Sequence, residues 1–260
     1  MRQQKQGKRP KPSADLLYGI NPVMEALKAG RRQIRQLILA SGRRDRRVDE
    51  LESLAQSKGV PVKRVDAEAL EGLCGTGHHQ GAALDAGALP GIAPEDLIQV
   101  AEKKGEEPFL VLLDSIEDPR NLGAIVRTAH CAGAHGVVVP KDRSAQLTSL
   151  VSKASAGALE HMPVAVVTNL AKAMEELKEK GLWFAGLDAD GDSSLFGGDF
   201  TGPVGIVVGS EGKGLRPLVK KGCDFIVSIP LKGAVDSLNA SVAASLVMYE
   251  VVRQRGGSEK

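Results

Sequence analysis

The stretch FLVLLDSIEDPRNLGAIVRTAHCAG, Phe109–Gly133, changes character halfway. It opens on an unbroken apolar run, the pattern of a strand buried on both faces and hence of a parallel sheet covered by helices. After Asp118-Pro119 it becomes a helical stretch that ends at a glycine. The same succession continues to the C-terminus. Apolar runs at Gly136–Val139, Val164–Val167, Leu182–Leu187, Val204–Val208 and Phe225–Ile229 alternate with helical stretches. These are LTSLVSKASAG, NLAKAMEELKEKG, GLRPLVKKG and a last helix in DSLNASVAASLVMYEVV. The C-terminal part is expected to be a doubly wound α/β domain with a mostly parallel sheet. Ligands of such sheets bind outside the carboxyl ends of the strands.

Outward from this stretch, the first 90 or so residues also alternate. NPVMEALKAG, RVDELESLAQSKG and DAEALEGLCG read as helices, with Asp66 a candidate N-cap, and IRQLILA, VPVKRV and HQGAALDAGAL as strands. The expected division is a basic arm over 1–14, a small α/β domain over 15–90, a proline-bracketed linker over 91–107 and the larger domain over 108–255.

The net charge of +2 conceals an asymmetry. Residues 1–47 carry 13 Lys and Arg against 3 Asp and Glu, so the remaining chain is net negative. KQGKRPKP, GRRQIRQ and GRRDRR put Arg31, Arg32, Arg43, Arg44, Arg46 and Arg47 forward as nucleic-acid-binding candidates, since phosphate neutralisation rewards clustered cations. Aromatics make up only 3% of the chain, which argues against base-stacking platforms as the main means of recognition. No apolar run approaches the roughly 18 residues of a membrane span. Three widely spaced cysteines fit a reducing compartment, and a cytoplasmic protein is expected.

The common nucleotide motifs fail. GSEGKGLRP, Gly209–Pro217, follows a strand and opens a helix, but Leu215 stands where a P-loop needs lysine. It also lacks the third glycine of a dinucleotide fingerprint. No cysteine and histidine cluster has zinc spacing, so no metal is expected, and no GxSxG elbow is present. Three polar segments remain, each leaving the carboxyl end of a strand. The first carries Asn121 and Arg127 on one helix, the second holds Glu211 among glycines, and the third puts Ser237 and Asn239 at a helix start.

Asn-x-Gly-x-x-x-Arg, Gly-Ser-Glu-Gly-x-Gly and Ser-Leu-Asn-x-Ser-Val-Ala-Ala, in this order, resemble motifs 1, 2 and 3 of the SpoU (TrmH) family of RNA ribose 2′-O-methyltransferases in the SPOUT superfamily. The front domain, with LYGINPVMEAL and HHQGAALDA, is similar to the family's substrate-binding domain. Leu231 and Ala240 stand where family members often carry Met and Val. The resemblance implies a trefoil knot, a homodimer packed partly through the C-terminal helix, and S-adenosylmethionine held against Gly209, Ile229, Leu231 and Leu238. It further implies Arg127 as the catalytic arginine, assisted by Asn121, Glu211, Ser237 and Asn239. A guanidinium is essentially never deprotonated, so Arg127 is expected to hold phosphate and stabilise charge on the oxygen. The expected substrate is a guanosine of 23S ribosomal RNA. Transfer RNA is the alternative, and a non-catalytic RNA-binding relative a weaker one.

Overall fold

The computed structural model describes residues 16–42 and 45–256 of the chain. The expected arm over 1–14, and Arg43 and Arg44, lie outside the described residues. The chain divides into two compact units, the first taking in the sequence up to Pro90 together with Thr148–His161.

In the first unit β1 (Leu16–Tyr18), α1 (Ile20–Ala29), β2 (Ile34–Ala40), α2 (Arg46–Ser57), β3 (Val62–Val65), α3 (Ala67–Cys74) and β4 (Ala82–Ala86) follow one another. The sheet order is β1-β4-β2-β3, with β2 and β3 parallel and the other pairs antiparallel. Side chains of β2 alternate between two cores, because successive residues of a strand face opposite ways. Leu37 and Leu39 pack with Val23, Leu27 and Leu51, whereas Ile38 and Ala40 pack with Leu70 and Cys74. Helix starts are capped as their sequence suggests: Asp45 accepts from the Arg47 N–H at 3.0 Å and Asp66 from the Ala69 N–H at 2.6 Å.

The late segment Thr148–His161 is bound into this unit by a buried ion pair. Arg32 donates from Nε to Glu160 Oε2 at 2.6 Å and from Nη2 to Oε1 at 3.1 Å, and its Nη1 reaches the Gly87 carbonyl at 2.9 Å. Ser152 Oγ donates to Glu160 Oε1 at 2.8 Å. Both charged side chains are almost wholly buried, at 4% and 1% exposure. This corrects the expectation that Arg32 binds nucleic acid: its charge is already paired inside the protein.

The second unit comprises Gly91–Leu147 and the chain from Met162 onward. Its elements are α4 (Asp96–Glu102), β5 (Phe109–Leu113), α5 (Pro119–Cys131) and β6 (Gly136–Pro140), after which the chain visits the first unit with α6 (Ser149–Ala154). It returns with β7 (Val164–Val167), α7 (Leu170–Lys178), β8 (Trp183–Leu187), β9 (Ser193–Ser194), β10 (Val204–Val208), α8 (Pro217–Gly222), β11 (Phe225–Ser228) and α9 (Ala240–Arg255). The seven strands run in the order β7-β6-β5-β10-β8-β11-β9 and every pairing is parallel. Strands β5, β6 and β10 are buried along their whole length, as unbroken apolar runs require. The segment 91–107, read from sequence as a linker, belongs to this unit, because α4 buries Leu97 and Ile98 against Leu110 and Val138. The end of α9 is held by Arg255, which donates to the carbonyls of Phe200, Glu107, Pro108 and Gly202.

Candidate active site

The register of the sheet brings the first two polar segments together. In the β5–β10 pair Leu113 stands opposite Val208, so both segments leave the sheet side by side. Asp114, fully buried, is the first residue beyond β5. Its N–H donates to the Val208 carbonyl at 2.8 Å, and its carboxylate accepts from the Arg216 N–H at 2.8 Å and Arg216 Nε at 2.6 Å. A carboxylate after β5 therefore fixes the far end of the turn after β10. That turn is tight: Gly214 N–H donates to the Ser210 carbonyl at 3.0 Å, and Gly212 and Gly214 adopt φ of 75° and 61°. A left-handed backbone of this kind favours glycine. At Gly209 the constraint is space, since a Cβ there would lie 2.3 Å from the carbonyl carbon and oxygen of Gly214.

One carboxylate joins all three segments. Glu211 Oε1 accepts from Asn121 Nδ2 at 3.0 Å, from Asn239 Nδ2 at 2.5 Å and from the Ala240 N–H at 3.0 Å. Asn239 Nδ2 also reaches Asn121 Oδ1 at 3.0 Å, while its own Oδ1 caps α9 by accepting from the Ser241 N–H at 3.0 Å. A negative charge at a helix N-terminus is favoured by the free N–H groups and the helix dipole. Asn121, Glu211 and Asn239 thus form the hub that sequence left as three separate segments.

Two cavities flank the turn. One, of about 520 Å³, is lined by the expected Gly209, Ile229, Leu231, Ser237 and Leu238 and by Asp188. The other, of about 660 Å³, carries Asn121, Arg143, Lys213 and Arg216. Ser210, Glu211, Lys213 and Gly214 border both. Clefts of about 300–1,000 Å³ suit small-molecule ligands, with mainly apolar walls and a few placed polar groups. The first cavity has that volume and a mixed lining: Leu187, Val208, Ile229, Leu231 and Leu238 supply apolar wall, and Asp188, Asp190, Lys220, Asp236 and Ser237 bring polar and charged groups. These residues fit an adenosine-bearing ligand with a charged amino-acid end.

Asp188 was not singled out from sequence, although its place directly after β8 would have allowed it. Burial alone would raise its pKa, but the N–H groups of Asp190 and Leu215 and the Lys220 ammonium at 3.1 Å outweigh it and hold the carboxyl below its ordinary range. Ser237 lies before the helix start, in the exposed segment leading to Asn239. Arg127 stands apart. It is exposed on α5, borders neither cavity, and makes no hydrogen bond or ion pair with any described residue. In the first unit the other expected cations are partly engaged. Arg31 is half-buried and donates to the Glu160 carbonyl at 3.3 Å, Arg46 pairs with Glu50 at 3.1 Å, and Arg47 donates to Asn21 Oδ1.

A wholly parallel sheet with its polar turns gathered at the strand ends, beside a separate small α/β unit, is the architecture of solved RNA-modifying methyltransferases. The SpoU methyltransferase AviRb from Streptomyces viridochromogenes, crystallised with AdoMet, superposes with a TM-score of 0.79 over 94% of this chain and 91% of its own, at 28% identity. The SpoU rRNA Methylase family matches residues 108–249, and the family described as RNA 2′-O ribose methyltransferase substrate binding matches residues 16–90. A Bacillus subtilis relative named for the TrmH family of tRNA/rRNA methyltransferases is 45% identical over 93% of this chain and 96% of its own. The 23S rRNA (guanosine-2′-O-)-methyltransferase RlmB of Xanthomonas campestris is 39% identical over 93% and 97%. The chain belongs to the SpoU family of RNA 2′-O-ribose methyltransferases, enzymes that use S-adenosylmethionine as methyl donor.

Proposed function

We propose that this enzyme methylates the 2′-hydroxyl of a guanosine in 23S ribosomal RNA, acting as a cytoplasmic homodimer. The likeness to an RlmB named for that reaction over nearly the whole chain, front unit included, supports the target. The hydrogen-bonded hub of Asn121, Glu211 and Asn239 carries the chemical reading, because it fixes the wall shared by two cavities. The cavity bordered by Gly209, Ile229, Leu231 and Leu238 takes the donor, and the cavity bearing Arg143, Lys213 and Arg216 takes the RNA. S-adenosylmethionine supplies a sulfonium methyl. A ribose hydroxyl is a weak nucleophile until its proton leaves, so fixed positive charge near the oxygen lowers the barrier.

Arg127 supplies that charge, and the dimer delivers it. Its side chain bonds to no described residue of its own chain, and α9 presents Val242, Leu246 and Tyr249, spaced four and three residues apart, to solvent. A second copy seated on that stripe covers it and brings Arg127 to the partner's cavity. Ser237 contacts the RNA beside it, and Asn121 aligns the ribose. The trefoil knot of the family is inferred for the C-terminal part on the same footing.

The test is methyl transfer from labelled S-adenosylmethionine to unmodified large-subunit ribosomal RNA and, separately, to bulk transfer RNA. Label in ribosomal RNA, at one ribose now resistant to alkaline cleavage and absent with Arg127→Ala, is expected. Label in transfer RNA alone would overturn the target while keeping the chemistry; the tRNA/rRNA naming of the Bacillus subtilis relative makes this the second reading.

A further inference from the structure

Thr148–His161 brings more to the first unit than the partner of Arg32. Lys153 on α6 holds its ammonium 4.9 Å from the centroid of the Tyr18 ring and donates to the His78 carbonyl. With Thr76 and Leu150 these residues line a cavity of about 640 Å³. Among the described residues that line it there is a cation and no anion to meet it. Among the described residues no carboxylate pairs with Lys153, and burial lowers the pKa of its ammonium. Behind it the buried Cys74 thiol is pushed up to about 11, so it stays neutral. The Tyr18 hydroxyl and the exposed His78 imidazole bond to no described residue.

A half-buried cation without a counter-charge is held at a desolvation cost that an arriving anion offsets. A phosphodiester is such an anion, and it accepts hydrogen bonds from an ammonium and a phenol together. The arginines of this unit make a poorer case: Arg32 is sealed against Glu160 and Arg46 is paired with Glu50. We propose that this cavity is a nucleotide subsite for the RNA substrate, in which Lys153 and the Tyr18 hydroxyl take a backbone phosphate and the His78 ring meets the adjoining base. The proposal rests on the reading of RNA as substrate. It assigns substrate binding to a segment, Thr148–His161, that lies by sequence inside the methyltransferase family match.

The experiment is filter binding of in vitro transcribed 23S ribosomal RNA to the full chain across a KCl series, with wild type, Lys153→Gln and Lys153→Arg. Loss of one phosphate contact lowers the slope of log K against log[KCl] by about 0.7–0.9. Lys153→Gln is expected to show that drop and at least fivefold weaker binding near 100 mM KCl, with S-adenosylmethionine affinity unchanged. Lys153→Arg is expected to restore the slope. Wild-type slope and affinity in Lys153→Gln, or a parallel loss of S-adenosylmethionine binding, would overturn the subsite. If Lys153→Gln does not fold, Tyr18→Phe decides, since it removes only the hydroxyl: at least threefold weaker RNA binding supports the proposal and unchanged binding overturns it. Failure of the wild type to bind or methylate RNA would remove the substrate reading and the subsite together, whereas wild-type methylation beside an indifferent Lys153→Gln removes the subsite alone.

Discussion

Replacing Gly209 by alanine tests the turn after β10 with a single methyl group. The added Cβ would sit 2.3 Å from both the carbonyl carbon and oxygen of Gly214 and 2.7 Å from the Leu215 nitrogen. All three are backbone atoms, so no side chain can rotate away. Carbon contacts settle near 3.5–4.0 Å, so the two strands of the turn must part by about 1.2 Å. Overpacking of this kind costs about 1–3 kcal/mol. The larger effect is on geometry, because Glu211 rides on the turn and its bonds to Asn121, Asn239 and the Ala240 N–H span only 2.5–3.0 Å. Displacement by about 1 Å in an active site can cost about 10²-fold in rate. Calorimetric titration of S-adenosylmethionine and single-turnover methylation of ribosomal RNA are the assays. Affinity is expected to fall at least tenfold and the rate about a hundredfold. Gly202→Ala, where a Cβ meets nothing within 4 Å, serves as the control and leaves both unchanged. Donor affinity within twofold of wild type in Gly209→Ala would refute the reasoning, for the turn could then yield without disturbing either cavity.

Other substitutions separate stability from function. Arg32→Ala strands Glu160 in the interior; breaking a buried pair costs about 3–5 kcal/mol, read as a lower urea midpoint by circular dichroism. Asn239→Asp keeps an oxygen to cap α9 but sets a carboxylate against Glu211, so activity is expected to fall more than tenfold with little change in melting temperature. Asn239→Ala should lower both, the cap alone by about 1 kcal/mol. His135, buried, accepts from the Phe109 N–H at Nδ1 and donates from Nε2 to Glu106, each at 3.0 Å. Burial lowers its pKa, with Lys104 and Arg255 acting the same way and Glu106 opposing. Its contribution to stability is therefore complete above the ordinary imidazole value of about 6.5 and is lost as pH falls below it. The urea midpoint should drop between pH 7.5 and pH 5.5, and less so in His135→Gln; an equal drop in both would exclude His135 as the cause.

The parallel sheet was legible because its central strands are unbroken apolar runs, a local signal that needs no partner to be read. Asp66 was legible as a cap for the same reason, since a cap acts within three residues of itself. What was not legible depended on residues far apart in sequence. GRRQIRQ offers Arg31 and Arg32 as equals, and only Glu160, 128 residues later, makes one of them interior. Glu211 could be placed on a turn but not in a hub, because its partners lie 90 and 28 residues away. β1 escaped notice because three residues carry no period; it is a strand by virtue of pairing with β4. The helix α4 was assigned to a linker, since polar residues and prolines around it outweigh Leu97 and Ile98 until their core neighbours are known.

The chain enters, leaves and re-enters the first unit, and this limits how proteins of this build can be recombined. A graft that moved residues 16–90 alone onto another methyltransferase would carry Arg32 without Glu160 and Tyr18 without Lys153. Such a chimera inherits a buried charge from one parent and its answer from the other, and works only where the host supplies an equivalent acid at the matching place. Exchange of RNA specificity between relatives therefore has to move two stretches of gene at once, with an intact β5–α5–β6 unit left between them.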